Sequence, residues 1–316
     1  MSNMLKKRKK TKKKKTLDKS LFMFLLPEFI GVLVFVILPL IDVVVKSFQL
    51  GRTGVYSGSA NYKILMDNDA FKLAMGNTLK FELVSIPLVV ILSLLVAVVV
   101  TKNNCNWMKL FLLMPLLVPS NAMGIVIKVL FDDQGIVNNF IVNVAGGQAV
   151  DFYSDKNIFY LLVGVFLIKN IGYNMLIWIA GLALIPTEIY DAAKVDGAND
   201  ICILFRITIP NIRRTAYIVT ILSLVNSFKI FRESYMIAGS YPAVTIYQLQ
   251  NIFNNWFDKL EIGKMAAGAV VTLIFFGLLL LMFRFIILDL AALAEKAKTA
   301  SRQKRYRRAD KRKGDK

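Results

Sequence analysis

Six stretches of this 316-residue chain are each long and apolar enough to cross a bilayer. A hydrocarbon core of about 30 Å takes about 20 mostly apolar helical residues. The runs at 22–45, 79–100, 110–131, 158–182, 217–238 and 265–288 meet that length. With no water at that depth, every backbone N–H and C=O has to bond inside its own segment, which for runs of this pattern means helices. The sequence therefore predicts an all-α integral membrane protein with six transmembrane helices in a domain over 21–288. A basic arm at 1–20 and a basic tail at 289–316 flank it. The first run follows a lysine block, as a secretion signal would. Its apolar stretch exceeds the roughly 7–15 residues of a signal core and no small-residue cleavage site closes it, so it reads as a true span.

The charge confirms where the polar chemistry lies. Residues 1–20 hold ten basic residues and one acid, and 289–316 hold eleven and four, which is +9 and +7 of the net +19. The arm at Lys6 to Lys15 and the tail at Arg302 to Lys313 read as solvated flanks against acidic membrane lipid, not as a nucleic-acid surface. Six spans put both ends on one face. Lys194, Arg206, Arg213 and Arg214 lie in the loop between spans four and five, on that same face, whereas Asp67, Asp69, Asp132, Asp133, Asp151, Asp155, Asp258 and Glu261 lie on the other. By the positive-inside rule both termini are cytoplasmic, in a bacterial plasma membrane. Histidine is absent, which removes His-based nucleophilic sites, metal ligands and proton relays. Cys105 and Cys202 both fall in reducing cytoplasmic loops, so no disulfide is expected.

The loop at about 183–214 carries too much helix-forming sequence to be a mere connector. Thr187 can cap a short helix after Pro186, Gly197 can end it, and a second helix from Asp200 stops before Pro210. Antiparallel spans can be joined by a few residues, and about thirty here point to a docking surface or to a helix packed under its own bundle. Ala192, Ala193 and Gly197 permit close approach, and Asp191, Lys194, Asp196 and Arg206 surround the apolar Ile189, Val195, Ile203 and Phe205.

The pattern Asp191-Ala192-Ala193, three residues, Gly197, nine residues, Ile207, one residue, Ile209-Pro210 resembles the EAA loop of the membrane subunits of ATP-binding cassette (ABC) importers. Asp191 replaces the usual Glu and Ile209 the usual Leu. The similarity runs through most of 22–285 and narrows to the sugar-transporting branch. It is carried by Asn61-Tyr62, Asn77-Thr78-Leu79, Met114-Pro115 with Pro119, Leu130 to Asn138, Ile185-Pro186 and Asp196-Gly197-Ala198, while Gly239-Ser240-Tyr241-Pro242 departs from the usual Gly-Gly-Pro. The resemblance implies a type I importer transmembrane domain whose loop is a coupling helix seated in a cytoplasmic ATPase. Glu188, Asp191, Ala192, Ala193, Asp196, Gly197 and Pro210 become the ATPase-coupling positions. The implied partners are a second homologous permease subunit, two ATPase subunits and an extracellular solute-binding protein. No cofactor is expected on this chain. It has no G-x-x-x-x-G-K-[ST] loop, so ATP and magnesium belong to the ATPase and the chain is not itself an enzyme.

Ionisable residues within spans need a reason. Glu28, Asp42, Lys46, Lys80 and Lys128 lie near span ends and can snorkel, and Glu82 has no assigned role. Counting at about 1.5 Å per residue, Lys169, Asn170, Gly172, Tyr173 and Asn174 begin about 16 Å from one face. By the same count Ser223, Asn226 and Ser227 lie about 12–18 Å from the other. Gly172, Tyr173, Asn174, Ser223, Asn226 and Ser227 are therefore the candidate solute pathway, with helix packing as the competing reading. Asn174 and Asn226 are expected to face a common midplane cavity. Lys229 and Arg232 lie farther out, where they can tune access or pair with Glu233. The main alternative function is an ion-coupled secondary transporter or channel using Glu82, Lys169 or Lys229. A membrane-embedded enzyme fits poorly without histidine or clustered carboxylates.

Overall fold

The computed structural model describes residues 19–51, 54–103 and 105–290, so almost all of the basic arm and tail lie outside the described residues. Helix α1 (Lys19–Val32) passes through a π turn (Leu33–Ile37) into α2 (Leu38–Ser47). A two-residue hairpin pairs β1 (Gln49–Leu50) with β2 (Val55–Tyr56). Then come α3 (Ala60–Asp67), α4 (Asp69–Lys102), α5 (Asn106–Leu117), α6 (Ser120–Phe131), α7 (Ile136–Asn143) and α8 (Ile158–Leu182). The loop region holds α9 (Thr187–Val195), α10 (Asp200–Ile203), a π turn (Leu204–Thr208) and α11 (Ile209–Asn211). The chain continues through α12 (Arg213–Lys229), α13 (Phe231–Ala238), α14 (Leu249–Asp258) and α15 (Ile262–Arg284).

Among the described residues, four helices are long and apolar enough to cross a membrane, at Met23–Ser47, Asp69–Lys102, Ile158–Leu182 and Ile262–Leu288. A fifth crossing is reached only if the bent pair Trp107–Leu117 and Ala122–Asn143 counts as one span. The span expected at 110–131 is interrupted, divided between α5 and α6, and the stretches Trp107–Leu117 and Ala122–Asn143 meet at 105°. The cause is local. Pro119 donates no N–H and forces the residue before it out of the helical region, and Val118 is extended at φ −73°, ψ 121°. The run at 217–238 divides into α12 and α13 through Ile230, whose N–H turns back to the Ser227 carbonyl. With Ser223, Asn226, Lys229, Arg232 and Glu233 in it, that run falls short of the length and apolarity of a span by itself.

Prolines mark the other irregularities. Each of the first two π turns ends two residues before one, at Ile37 ahead of Pro39 and at Thr208 ahead of Pro210. A proline ring removes one helical hydrogen bond and crowds the carbonyl four residues back, and a widened turn relieves both.

Three buried clusters hold the helices together. Phe81, Phe159 and Phe166 meet edge-to-face where α4 crosses α8. Leu65, Phe71, Trp256 and Phe276 join α3, α4, α14 and α15. Ala97, Met175, Trp178, Ile185, Ile212 and Val219 pack at the end of the bundle from which α9 projects. No residue of the α1–α2 span's apolar window is buried, as for a helix whose natural solvent is hydrocarbon or another membrane helix.

The motif residues at the opposite end of the bundle are clamps. Asn61 Nδ2 donates to the carbonyls of Ser47 and Gln49 at 2.9 and 2.8 Å, and Tyr62 Oη meets Ser47 Oγ at 2.7 Å. Asn77 Nδ2 donates to the carbonyls of Val244 and Tyr247 at 2.6 and 3.0 Å, and Leu249 N–H donates to Thr78 Oγ1 at 3.0 Å. Asn138 exchanges hydrogen bonds with the backbone of Val150.

Candidate functional site

A cavity of about 320 Å³ opens where the α5–α6 bend faces the turn between α12 and α13. Leu116, Leu117, Val118 and Pro119 form one wall, Phe166, Lys169 and Asn170 of α8 a second, and Asn226, Lys229, Ile230, Arg232 and Glu233 a third. Irregular backbone at membrane depth is tolerated where it lines such a space. Glu233 is 2% exposed and its carboxylate forms an ion pair with Lys169, tying α13 to α8. The pairing of Glu233 with Lys229 or Arg232 considered from the sequence is replaced by this one. Lys229 Nζ instead donates to Asn226 Oδ1 at 3.0 Å.

The candidate pathway residues divide between this cavity and a seam. Asn226 lines the cavity. Asn174 and Ser223 are fully buried and bond each other, Nδ2 to Oγ at 2.9 Å, between α8 and α12. Ser227 Oγ donates to Glu82 Oε1 at 3.1 Å and lies 2.6 Å from the Leu224 carbonyl, which places Glu82 in the seam between α4 and α12. The expected common cavity for Asn174 and Asn226 is therefore not seen, because the two amides point into different spaces. Gly172 is a packing residue: a Cβ there would collide with the Leu112 carbonyl, so α5 and α8 touch backbone to backbone. Tyr173 is half-buried on the same helix. The sequence reading did not place the Leu116–Pro119 wall in the site, although Pro115 and Pro119 signalled an interruption there.

At the other ends of α8 and α12 sits the loop. A Cβ on Gly181 would collide with the Thr215 side chain, so the last turn of α8 and the first of α12 are clamped together. Helix α9 begins at Thr187, which is its first residue and not its cap. Gly197 follows at φ +79°, in the left-handed region where a side chain is strained. Among the described residues, apart from its own chain neighbours, no atom lies within 4 Å of where its Cβ would be, so close packing against them is not why glycine stands there. Asn199 Oδ1 caps α10 by accepting from Cys202 N–H at 2.8 Å. Tyr190 Oη meets Thr208 Oγ1 at 3.3 Å and joins α9 to the returning strand of the loop. Lys102 Nζ reaches Asp200 Oδ2 at 2.7 Å, and that hydrogen bond and charge hold the Asp200 carboxyl below its ordinary pKa. Glu188, Asp191, Ala192 and Asp196 are exposed together with the loop's Pro210, whereas Ala193 is buried. Val195, Ile201 and Phe205 are 88%, 68% and 64% exposed.

Comparison with known proteins places this geometry. The family model described as "Binding-protein-dependent transport system inner membrane component" matches residues 81–292. The chain is 27% identical over 263 residues to the arabinooligosaccharides transport system permease protein AraP of Bacillus subtilis, covering 80% of this chain and 83% of that protein. It is 27% identical over 229 residues to the lactose transport system permease protein LacF of Rhizobium radiobacter, covering 70% and 77%. Its fold is that of a chain in the crystal structure of a bacterial alginate ABC transporter in complex with an alginate pentasaccharide-bound periplasmic protein. The TM-score there is 0.73 at 18% identity, over 86% of this chain and 95% of that one.

Proposed function

The chain belongs to the family of binding-protein-dependent transport system inner membrane components, and from that premise we propose that it is the permease subunit of an ATP-driven importer for a sugar or oligosaccharide. The observation that carries the reading is mechanical. Helices α8 and α12 are clamped at Gly181 and Thr215 beside the loop, bonded at Asn174 and Ser223, and reach the cavity at Lys169 and Lys229. A push on the loop is thereby delivered to the cavity walls.

In this reading the membrane is crossed six times, with α5–α6 and α12–α13 each serving as one interrupted crossing, and both termini are cytoplasmic. The exposed Val195, Ile201 and Phe205, with the exposed charges Glu188, Asp191, Lys194 and Asp196 of the same loop, form the surface that an ATPase subunit covers. Apolar area of that kind, outside the spans, is the mark of an interaction site. Gly197 then leaves room for the partner. A second permease completes the pathway, two ATPase copies hold ATP and magnesium, and an extracellular binding protein delivers solute. Closure of the ATPases on the coupling helices alternates the cavity between the two faces, with no covalent chemistry in this chain. The ion-coupled alternative is disfavoured by the family assignment.

The test is uptake into vesicles holding the complete importer, with ion gradients collapsed. Uptake that requires internal ATP, together with cross-linking of a Val195→Cys thiol to the ATPase, supports the reading. Uptake that follows an ion gradient and ignores ATP refutes it.

A further inference from the structure

The cavity wall is unevenly charged. It carries three cations, Lys169, Lys229 and Arg232, against one acid, Glu233, and that acid is already engaged by Lys169. Lys229 and Arg232 are three residues apart at the turn between α12 and α13, both exposed. Lys229 offers one donor to the neutral Asn226 amide and keeps two more. Arg232 has no salt bridge or hydrogen bond among the described residues. Lys229 stands about 24 Å along α12 from Arg213, toward the outer end of a crossing of about 30 Å, where the cavity wall is reached from outside.

A cleft whose wall carries cations in excess draws counter-ions of the opposite sign into it. A neutral sugar gives no reason for two such cations, since amides and hydroxyls bind its hydroxyls without a desolvation penalty for charge. A guanidinium presents the planar fork that fits a carboxylate or a sulfate or phosphate ester, and an ammonium beside it adds a point charge. Resting on the importer reading above, we propose that the solute is acidic: a sugar or oligosaccharide bearing an anionic group, which Lys229 and Arg232 receive as it crosses the cavity. The Lys169–Glu233 pair holds the wall in place and leaves those two cations to the solute.

The test uses the complete importer in phosphatidylcholine vesicles, where no anionic headgroup competes. A thiol reporter, Val118→Cys in a Cys105→Ser, Cys202→Ser background, is reacted with an anionic and a cationic methanethiosulfonate, each normalised to its rate with a free thiol. Asn226→Cys is the second reporter should the first fail to assemble. Clefts lined by one sign of charge raise local counter-ion concentration by 10-fold or more, so the anionic reagent should be favoured roughly tenfold. Lys229→Gln and Arg232→Gln should each remove about half of that preference on a logarithmic scale. Galacturonate should slow the labelling and galactose at equal concentration should not. Equal normalised rates overturn the proposal and give the two cations to an acidic surface of the second permease. Protection by both sugars alike, or by neither, overturns it as well. Reactivity that changes with nucleotide in the ATPases reports on the importer reading alone, so either idea can fail without the other.

Discussion

Replacing Glu233 with glutamine should destabilise the protein by about 3–5 kcal/mol, the range for removing one member of a buried ion pair. The figure applies because Glu233 is 2% exposed, and the low end of the range is expected because Lys169, 16% exposed, borders the cavity and is partly screened by its water. Most of the loss comes from leaving the half-desolvated Lys169 ammonium without the Glu233 carboxylate, not from the attraction itself. The double variant Lys169→Met, Glu233→Met should therefore recover most of the loss, since two apolar side chains of similar volume carry no such penalty. The assay is the temperature at which the detergent-solubilised importer loses its monodisperse form. At roughly 2–4 °C per kcal/mol for a domain of this size, Glu233→Gln should lower it by about 10 °C. Equal losses in the single and double variants, or a single-variant shift within measurement error, would refute the buried-pair argument.

Other outcomes follow from the same contacts. Cysteine at 226 should react with a water-soluble thiol reagent while cysteine at 174 should not, as Asn226 lines the cavity and Asn174 is fully buried against Ser223; equal labelling would contradict the division. Gly172→Ala should separate α5 from α8 and cost about 1–3 kcal/mol, read as reduced thermal stability of the assembled protein. Gly197→Val should uncouple ATP hydrolysis from uptake by straining a left-handed residue, and Gly197→Asn, which tolerates that conformation, separates the causes: restored coupling means backbone strain alone, lost coupling means a partner packed on the bare Cα. Lys102→Gln should let the Asp200 pKa rise toward its ordinary value. With Lys102 present the lowered pKa keeps the link intact through neutral pH and loses it only as pH falls through that value, which carbon NMR of labelled aspartate would register.

How much of this was legible in the sequence depends on whether one coordinate or two was needed. Span existence needs only length and apolarity, and 158–182 was read to the residue, coinciding with α8. The loop's first helix and its turn followed from Pro186 and Gly197, whose conformational limits act locally, whereas the second helix does not stop before Pro210 as expected but runs on through a widened turn to Asn211. The solute site needed height and direction together. Counting residues along α8 and α12 gave height, and it put Asn174 and Asn226 at comparable depth. Direction comes from the advance of about 100° per residue in a 3.6-residue turn. Asn226, Lys229 and Glu233 recur at helical spacing toward the cavity, whereas Ser223 and Ser227 recur toward the seam. Treating Ser223, Asn226 and Ser227 as one cluster merged two stripes of the helix. The 105° bend was out of reach for another reason: Pro119 announces an interruption, but how far the chain turns there depends on Met123 and Ile127 packing against α8.

The interruptions and the charges belong to one arrangement. An unbroken helix in place of α12 and α13 would fix the direction of every side chain from Arg213 to Ala238 at once. The turn at Ile230 lets the two halves differ: α12 is committed to α4 and α8 through Ser227 and Ser223, while α13 is held by the Lys169–Glu233 pair. Lys229 and Arg232 stand on either side of that turn, one on each half. A motion of α8 and α12 together, driven from the loop while α13 stays packed on α6 at Gly124 and Met236, changes the distance between these two cations, and with it how well they grip one anionic group. Coupling and solute release then need no separate device, since the element that receives the push carries one half of the site.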